Sequence, residues 1–212
     1  MNLALFYDTE ITGLPLFNEP SEDQRQPHIV QLGAALVDLD TFAMISSLDV
    51  IVRPEGWTVP DDVAAIHGIT TDHAMAVGVP ARVVFGMFVE LWQRSDVRIG
   101  HNESFDARLL RIALLRHRDN DPAAEINTRW KDGRAECTQA LSTPILKLPP
   151  TAKMIAAGRR HHKSANLGEA YEFFTGKKLV GAHSAMVDVL GCLEVYRAIK
   201  AGVTEAVGEV GA

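Results

Sequence analysis

Residues 2–7 (NLALFY) form a short, nearly continuous apolar run, the pattern of a strand buried in the middle of a sheet. A polar loop punctuated by Pro15, Pro20 and Pro27 follows. Residues 28–40 (HIVQLGAALVDLD) and 44–54 (MISSLDVIVRP) read as two more strands, joined into a hairpin at Asp40–Thr41. The pattern then turns helical. Pro60, Asp61 and Asp62 mark a helix start, and His67-Gly68 its stop. Residues 80–93 carry Val84, Phe88, Leu91 and Trp92 at helical spacing. A short strand at 96–100 (DVRIG) precedes a largely buried helix from Glu103 to His117. Residues 134–141 (RAECTQAL) predict one more strand running into a short helix. Residues 147–165 read as a loop, and two helices close the chain, about Leu167–Phe174 and Ser184–Lys200.

This order predicts an α/β domain over residues 1–202, with 203–212 as a frayed tail. Its mixed sheet has an antiparallel hairpin side and a parallel crossover side, flanked by helices. A chain of 212 residues can bury most of its apolar surface without staples. With 47% hydrophobic and 23% charged residues it has the balance of a soluble globular protein. No segment has the length and apolarity of a membrane span, and the N-terminal MNLALFYDTE lacks a basic region. A cytoplasmic protein with no membrane partner is the expectation. Cys137 and Cys192 stand alone, so neither a thiolate zinc site nor a disulfide framework is implied. The net charge of −6 is not that of a protein gripping duplex DNA mainly through its phosphates. It is compatible with a site whose carboxylates hold divalent metals.

Three acidic elements stand out. The first strand runs into Asp8-Thr9-Glu10, and residues two apart on a strand share a face. Two carboxylates projecting together repel unless a cation lies between them, but an Asp-x-Glu also arises by chance about once in a chain this long. Asn102-Glu-Ser-Phe-Asp106 follows the strand DVRIG, with Asn102 placed to cap the next helix and Asp106 in its first turns. Taken alone, ordinary capping chemistry is the better explanation of that element. His183-Ser-Ala-Met-Val-Asp188 puts Ser184 at a cap and Asp188 one turn into the last helix, among Met186, Val189, Leu190 and Leu193. A surface His beside a dipole-stabilised acid is the bland alternative. Taken together, four acids at strand ends and helix starts and one mobile His are what two-metal phosphodiester hydrolysis needs. There, two cations about 3.5–4 Å apart stabilise the attacking and leaving oxygens, and an imidazole takes a proton near neutral pH.

At these residues the sequence resembles the DnaQ-like family of DEDDh 3′–5′ exonucleases, from Phe6 to Ile199. FYDTEITGLP resembles the first family motif, IGHNESFDARLL the second and GAHSAMVD the third, with the His-x4-Asp spacing of the His-containing branch. The resemblance implies a ribonuclease-H-like mixed five-stranded sheet, two Mg²⁺ ions (Mn²⁺ can substitute) and release of nucleoside 5′-monophosphates from 3′ ends. It implies Asp8, Glu10 and Asp188 as direct metal ligands, Asp106 as a ligand directly or through water, and His183 as general base. It places Thr12, Gly13, Leu14, His67, Asn102 and Phe105 around the terminal nucleotide, with IHGIT (66–70) as a further family-like segment. Ile11 stands where a Thr is frequent, and Ser184 where an Asp is frequent. Stacking on Leu14 and Phe105 also makes independent physical sense for a single strand, although Phe105 could equally pack its own helix into the core.

Single-stranded DNA is the expected substrate. An RNA-trimming enzyme of the same chemistry and a non-catalytic nucleic-acid-binding module are the rivals. The chain closes soon after its last helix, so a freestanding DNA-repair or turnover enzyme is expected; polymerase association is not evident, and a homodimer is left open. From Cys137 to Gly168 there is no acid, yet Lys147, Lys153, Arg159, Arg160, Lys163, His161 and His162 fall there. This basic field, with Gly158 in it, reads as a mobile segment overhanging the cleft in which Arg159 and Arg160 meet phosphates. A solvated surface loop is the plain alternative.

Overall fold

The computed structural model describes residues 1–117 and 123–202; the tail expected at 203–212 lies outside the described residues. Among them, strands β1 (Leu3–Ile11), β2 (Ile29–Asp38), β3 (Ala43–Ile51), β4 (Val97–Gly100) and β5 (Ala135–Cys137) form one sheet in the order β3-β2-β1-β4-β5. The β1–β2 and β2–β3 pairs are antiparallel, whereas β1–β4 and β4–β5 are parallel. The α/β mixed sheet expected from the sequence is therefore the one observed. The hairpin turns where Phe42 adopts φ 57°, its N–H donating to the Asp38 carbonyl at 2.6 Å.

The helices are α1 (Asp61–His67), α2 (Thr71–Val77), α3 (Ala81–Trp92), α4 (Glu103–His117), α5 (Ala123–Asp132), α6 (Thr138–Leu146), α7 (Ala152–Ala156), α8 (Leu167–Thr175) and α9 (Ala185–Lys200). Helix α1 starts after Pro60 and stops at a left-handed Gly68, as its punctuation predicts. Helix α2, unread in the sequence, is opened by Thr70, whose side chain accepts from His73 N. Helix α7 lies inside the expected loop and starts at Thr151, which accepts from Met154 N. Both are too short for periodicity to reveal. Among the described residues no helix is long and apolar enough to cross a membrane.

Alternation along β1 sets everything that follows. Leu5 and Tyr7 face Phe85, Phe88, Leu109 and Leu110 of α3 and α4. Ala4 and Phe6 face Val189, Cys192 and Tyr196 of α9. Strand β1 continues past the apolar run, since Asp8 still pairs with Gly33 and Glu10 with Gln31. Asp8 and Glu10 thus lie at the end of the strand, as the alternation expects, and inherit the α9 face, while Thr9 inherits the α4 face.

Gly33 lets α9 approach. A Cβ there would stand 2.6 Å from the Ala185 carbonyl carbon and 2.8 Å from Met186 N, both backbone atoms. Gly33→Ala must push the start of α9 off the sheet, and is expected to lower stability by about 1–3 kcal/mol, the usual cost of overpacking. Urea unfolding checks this. An unshifted midpoint would show that α9 can move aside freely.

Candidate active site

Four carboxylates meet where β1 ends beside the β4–α4 turn. Asp8 and Glu10 come from β1, Asp106 from the first turns of α4, and Asp188 from the first turn of α9. Glu10, Asp188 and His183 offer ligand atoms that all lie within 4.8 Å of one another. Asp106 is buried and accepts a hydrogen bond from the Thr9 hydroxyl at 2.6 Å. Asp8 lies among the charges of Asp106, Asp188 and Glu10.

Crowding shows in the protonation. Burial, then the charges of Asp188 and Asp106, push the Glu10 carboxyl up to about 7. Burial likewise pushes Asp106 up to about 7, against the opposing hydrogen bond from Thr9. Asp8 is raised by burial and by the three neighbouring acids. Asp188 is raised by burial, opposed by the His183 backbone N–H that donates to its Oδ2 at 3.2 Å. Its other oxygen, Oδ1, is buried with no hydrogen-bond partner among the described residues. An orphaned carboxylate oxygen beside three more acids is a poor structural device and a good hard-cation ligand. The residues present therefore fit divalent metal ions.

The frame around the acids was not visible in the motifs. Gln31, a lone polar side chain on β2, donates from Nε2 to Asp49 Oδ1 at 2.8 Å and accepts from Ala185 N at 3.2 Å. It thereby caps α9. Ser184 does sit at the N-cap position, but its side chain makes no capping bond. Asn102 is not the expected cap of α4. Its φ is 66°, outside the extended conformation that capping requires, and its carbonyl accepts from Phe105 N at 2.9 Å. On the opposite face, the Tyr7 hydroxyl donates to Glu103 at 2.6 Å, and Glu103 pairs with Arg98 at 3.4 Å. Arg98 stacks on Trp130, 3.9 Å from the ring centroid. The signal for both devices was a polar residue inside an apolar run.

The outer residues separate into two groups. Thr12 is tied to β2, its hydroxyl accepting from His28 N at 2.9 Å, and Gly13 and Leu14 extend the chain beyond it. Leu14 is 73% exposed, so it has no core role. His67 ends α1 with its Nδ1 accepting from Ile69 N at 3.1 Å. Burial, and less so the nearby His183, hold its imidazole below the usual range, against the Ile11 backbone. Phe105 is half-buried against the core, so the packing reading holds for one side of its ring. Asn102 and His183 are exposed, and Leu190 turns away from the core that Val189 and Leu193 join.

Arg159 and Arg160 are also exposed, but on a segment that is less free than its sequence implies. It contains α7, Lys163 is paired with Glu169, and Ala165 is fully buried. The His101 Nε2–H donates to the Ala165 carbonyl at 3.0 Å, leaving Nδ1 to accept from the Thr138 hydroxyl at 2.9 Å. Gln139 donates to the same carbonyl at 3.1 Å. Hidden backbone hydrogen bonds, not side-chain periodicity, hold this stretch.

The family model for RNase T exonucleases matches residues 5–196. No curated protein matches the chain. Among solved structures, E. coli exonuclease I in complex with a dT13 oligonucleotide is 18% identical, with a TM-score of 0.71 over 94% of this chain and 41% of that one. The zinc-bound E. coli exonuclease I–ssDNA complex is 19% identical, with a TM-score of 0.68 over 95% and 41%. Product-bound exonuclease I is 19% identical, with a TM-score of 0.68 over 94% and 43%. At these identities the likeness shows a shared fold. The chain spans about two fifths of the length of these structures.

The raised carboxyls make a thermodynamic prediction. Glu10 contributes stability that is complete below its unfolded value of 4.5 and is lost as pH rises through about 7. Asp106 acts in the same direction. Without metal, the melting temperature is therefore expected to fall between about pH 5 and pH 8. Mg²⁺ or Mn²⁺ should restore it, most strongly at the upper end, because cations bind the ionised acids. Scanning calorimetry in chelator and in metal checks this. A melting temperature indifferent to divalent ions at the upper pH would refute a metal site.

Proposed function

The chain belongs to the RNase T exonuclease family, and from that premise we propose that it is a 3′–5′ exonuclease dependent on two divalent metal ions. It would hydrolyse single-stranded DNA from its 3′ end and release nucleoside 5′-monophosphates. The observation that carries this is the convergence of Asp8, Glu10, Asp106 and Asp188 beside an exposed imidazole, His183.

In this reading Asp8, Glu10, Asp106 and Asp188 would hold two Mg²⁺ ions, for which Mn²⁺ could substitute, and the ions would supply charge stabilisation to the attacking and leaving oxygens. His183 takes the proton of the attacking water. Its place just before α9, at φ 67°, keeps it next to Glu10 and Asp188 while its ring stays open to solvent. Water adds to phosphorus, and the bond to the O3′ of the preceding nucleotide breaks. That oxygen leaves as a hydroxyl, and the freed nucleotide keeps the 5′-phosphate. Leu14 and the open side of Phe105 offer stacking faces for the terminal base. Thr12, Gly13, His67 and Asn102 line the approach, and Arg159 and Arg160 meet phosphates further along the strand. The dT13 and dA16 oligonucleotides in the exonuclease I complexes favour DNA as the substrate.

Three measurements test this reading together. Asp8→Ala or Asp188→Ala should abolish nucleotide release from a linear oligonucleotide while the protein remains folded. His183→Ala should lower kcat by roughly 10²–10⁴-fold and erase the rise of activity with pH as an imidazole deprotonates. Circular single-stranded DNA should be untouched, and matched DNA and RNA strands rank the substrates. Rapid cutting of the circle, or a rising pH limb that survives in His183→Ala, would overturn the assignment.

A further inference from the structure

A second recess lies on the same edge of the sheet as the acids. Strands β1, β4 and β5 are parallel, so their C-terminal ends point the same way. The acids stand at the end of β1, Asn102 follows β4, and α6 follows β5. Two strand spacings separate β1 from β5, about 10 Å. Between α6 and residues 161–164 there is a groove of about 430 Å³, lined by Gln139, Thr143 and Pro144 on one side and His161, His162 and Ser164 on the other.

We propose that this groove is a subsite for a nucleotide upstream of the scissile bond. One base would stack on the imidazoles of His161 and His162, and its flanking phosphates would meet Arg159 and Arg160. This deepens the exonuclease reading and rests on it.

Three observations carry the inference. The groove is fixed relative to the acids, since Ala165, next to its wall, accepts hydrogen bonds from both His101 and Gln139. His101 directly precedes Asn102 on the turn beside the acidic cleft. The wall is also organised before any ligand arrives, because the His161 Nδ1–H donates to the His162 carbonyl at 2.9 Å. Finally, the charge suits a polyanion. No acid occurs between Cys137 and Gly168, and of the cations there only Lys163 lies against an acid among the described residues, Glu169. Arg159, Arg160, His161 and His162 are all exposed to solvent at the groove's rim or beside it in the chain. Exposed flat rings next to guanidinium groups are the usual means of holding a single strand without reading its sequence. With two strand spacings, about 10 Å, between β1 and β5, a strand with its 3′ end among the acids would reach the groove within its last few nucleotides.

The test uses thymidine oligonucleotides from a dinucleotide to a hexanucleotide, each labelled at the 5′ end and closed by a nuclease-resistant phosphorothioate linkage at the 3′ end. Affinity is read by fluorescence anisotropy in Mg²⁺. The parent should bind more tightly with length until the groove is filled, then level off. The double variant His161→Ala with His162→Ala should lose that gain, roughly tenfold for the longer strands, the scale of one stacked base. The dinucleotide, too short to reach, should bind it as it binds the parent. His161→Phe with His162→Phe keeps the flat rings and should keep most of the affinity. Arg159→Glu with Arg160→Glu should flatten the salt dependence of the longer strands. Parental affinity at every length in the alanine variant would overturn the subsite, as would a phenylalanine variant as weak as the alanine one. Nucleotide release from an unmodified strand is scored separately. A parent that binds with this length dependence yet releases nothing would sink the exonuclease reading and leave the groove standing.

Discussion

Repulsion among four carboxylates in one cleft is the constraint the rest of the molecule is built around. At an effective dielectric near 20, two like charges about 4 Å apart cost roughly 4 kcal/mol. Glu10 and Asp188 are within that order of separation, and Asp8 and Asp106 add to the same field. A charge-assisted hydrogen bond offsets only about 1.5–3 kcal/mol. Thr9 provides one to Asp106 and the His183 backbone one to Asp188, too few to cover the repulsion. Burial raises these carboxyls first, and at Glu10 the charges of Asp188 and Asp106 add to it, so that Glu10 holds its proton up to about 7. Such a cluster stays in place only if the surrounding backbone cannot relax away from it.

The frame that prevents relaxation is the central strand. Leu5 and Tyr7 anchor β1 on one side, Ala4 and Phe6 on the other, so Asp8 and Glu10 cannot rotate out without unpacking both cores. Gln31 binds the start of α9 to β2 directly opposite Glu10, which fixes Asp188. Tyr7, Glu103 and Arg98 bind the start of α4 to β1, which fixes Asp106. The Arg98–Glu103 pair is itself buried, and a pair of that kind adds little net stability. Its value here is placement. Each helix that delivers an acid is thus tied to the sheet within a turn of the acid it carries.

Much of this was legible in the chain because the relevant signals are local. Strands β2 and β3, the turn after Asp38, the start and stop of α1, and the long helices α3, α4 and α9 follow periodicity and punctuation. The acids were legible because three short motifs place them in one order. What escaped is what depends on contacts distant in sequence. Asn102 has the composition of a cap but a left-handed φ set by the tight β4–α4 turn. Helices α2, α5 and α7 are short or polar and are held by side-chain caps or tertiary contacts rather than by an amphipathic stripe.

The basic segment between α6 and α8 bears on a problem that the acids create. A body of net charge −6 with an acidic cleft repels any polyanion that approaches it. In the proposed reaction, metal ions would neutralise the cleft but not the strand behind the terminal nucleotide, whose phosphates would lie beyond their reach. Screening confines useful attraction to about 8–10 Å at ordinary ionic strength, so distant basic residues cannot help. Cations must stand close to the strand's path and be free of internal partners. Lys163, paired with Glu169, fails that requirement, while Arg159 and Arg160 are exposed on the segment that the His101 hydrogen bond to Ala165 holds in place. Pinning matters as much as charge, since a free loop would lose conformational entropy on ordering around each substrate. The hydrogen bonds to Ala165 meet that cost during folding, before any strand arrives.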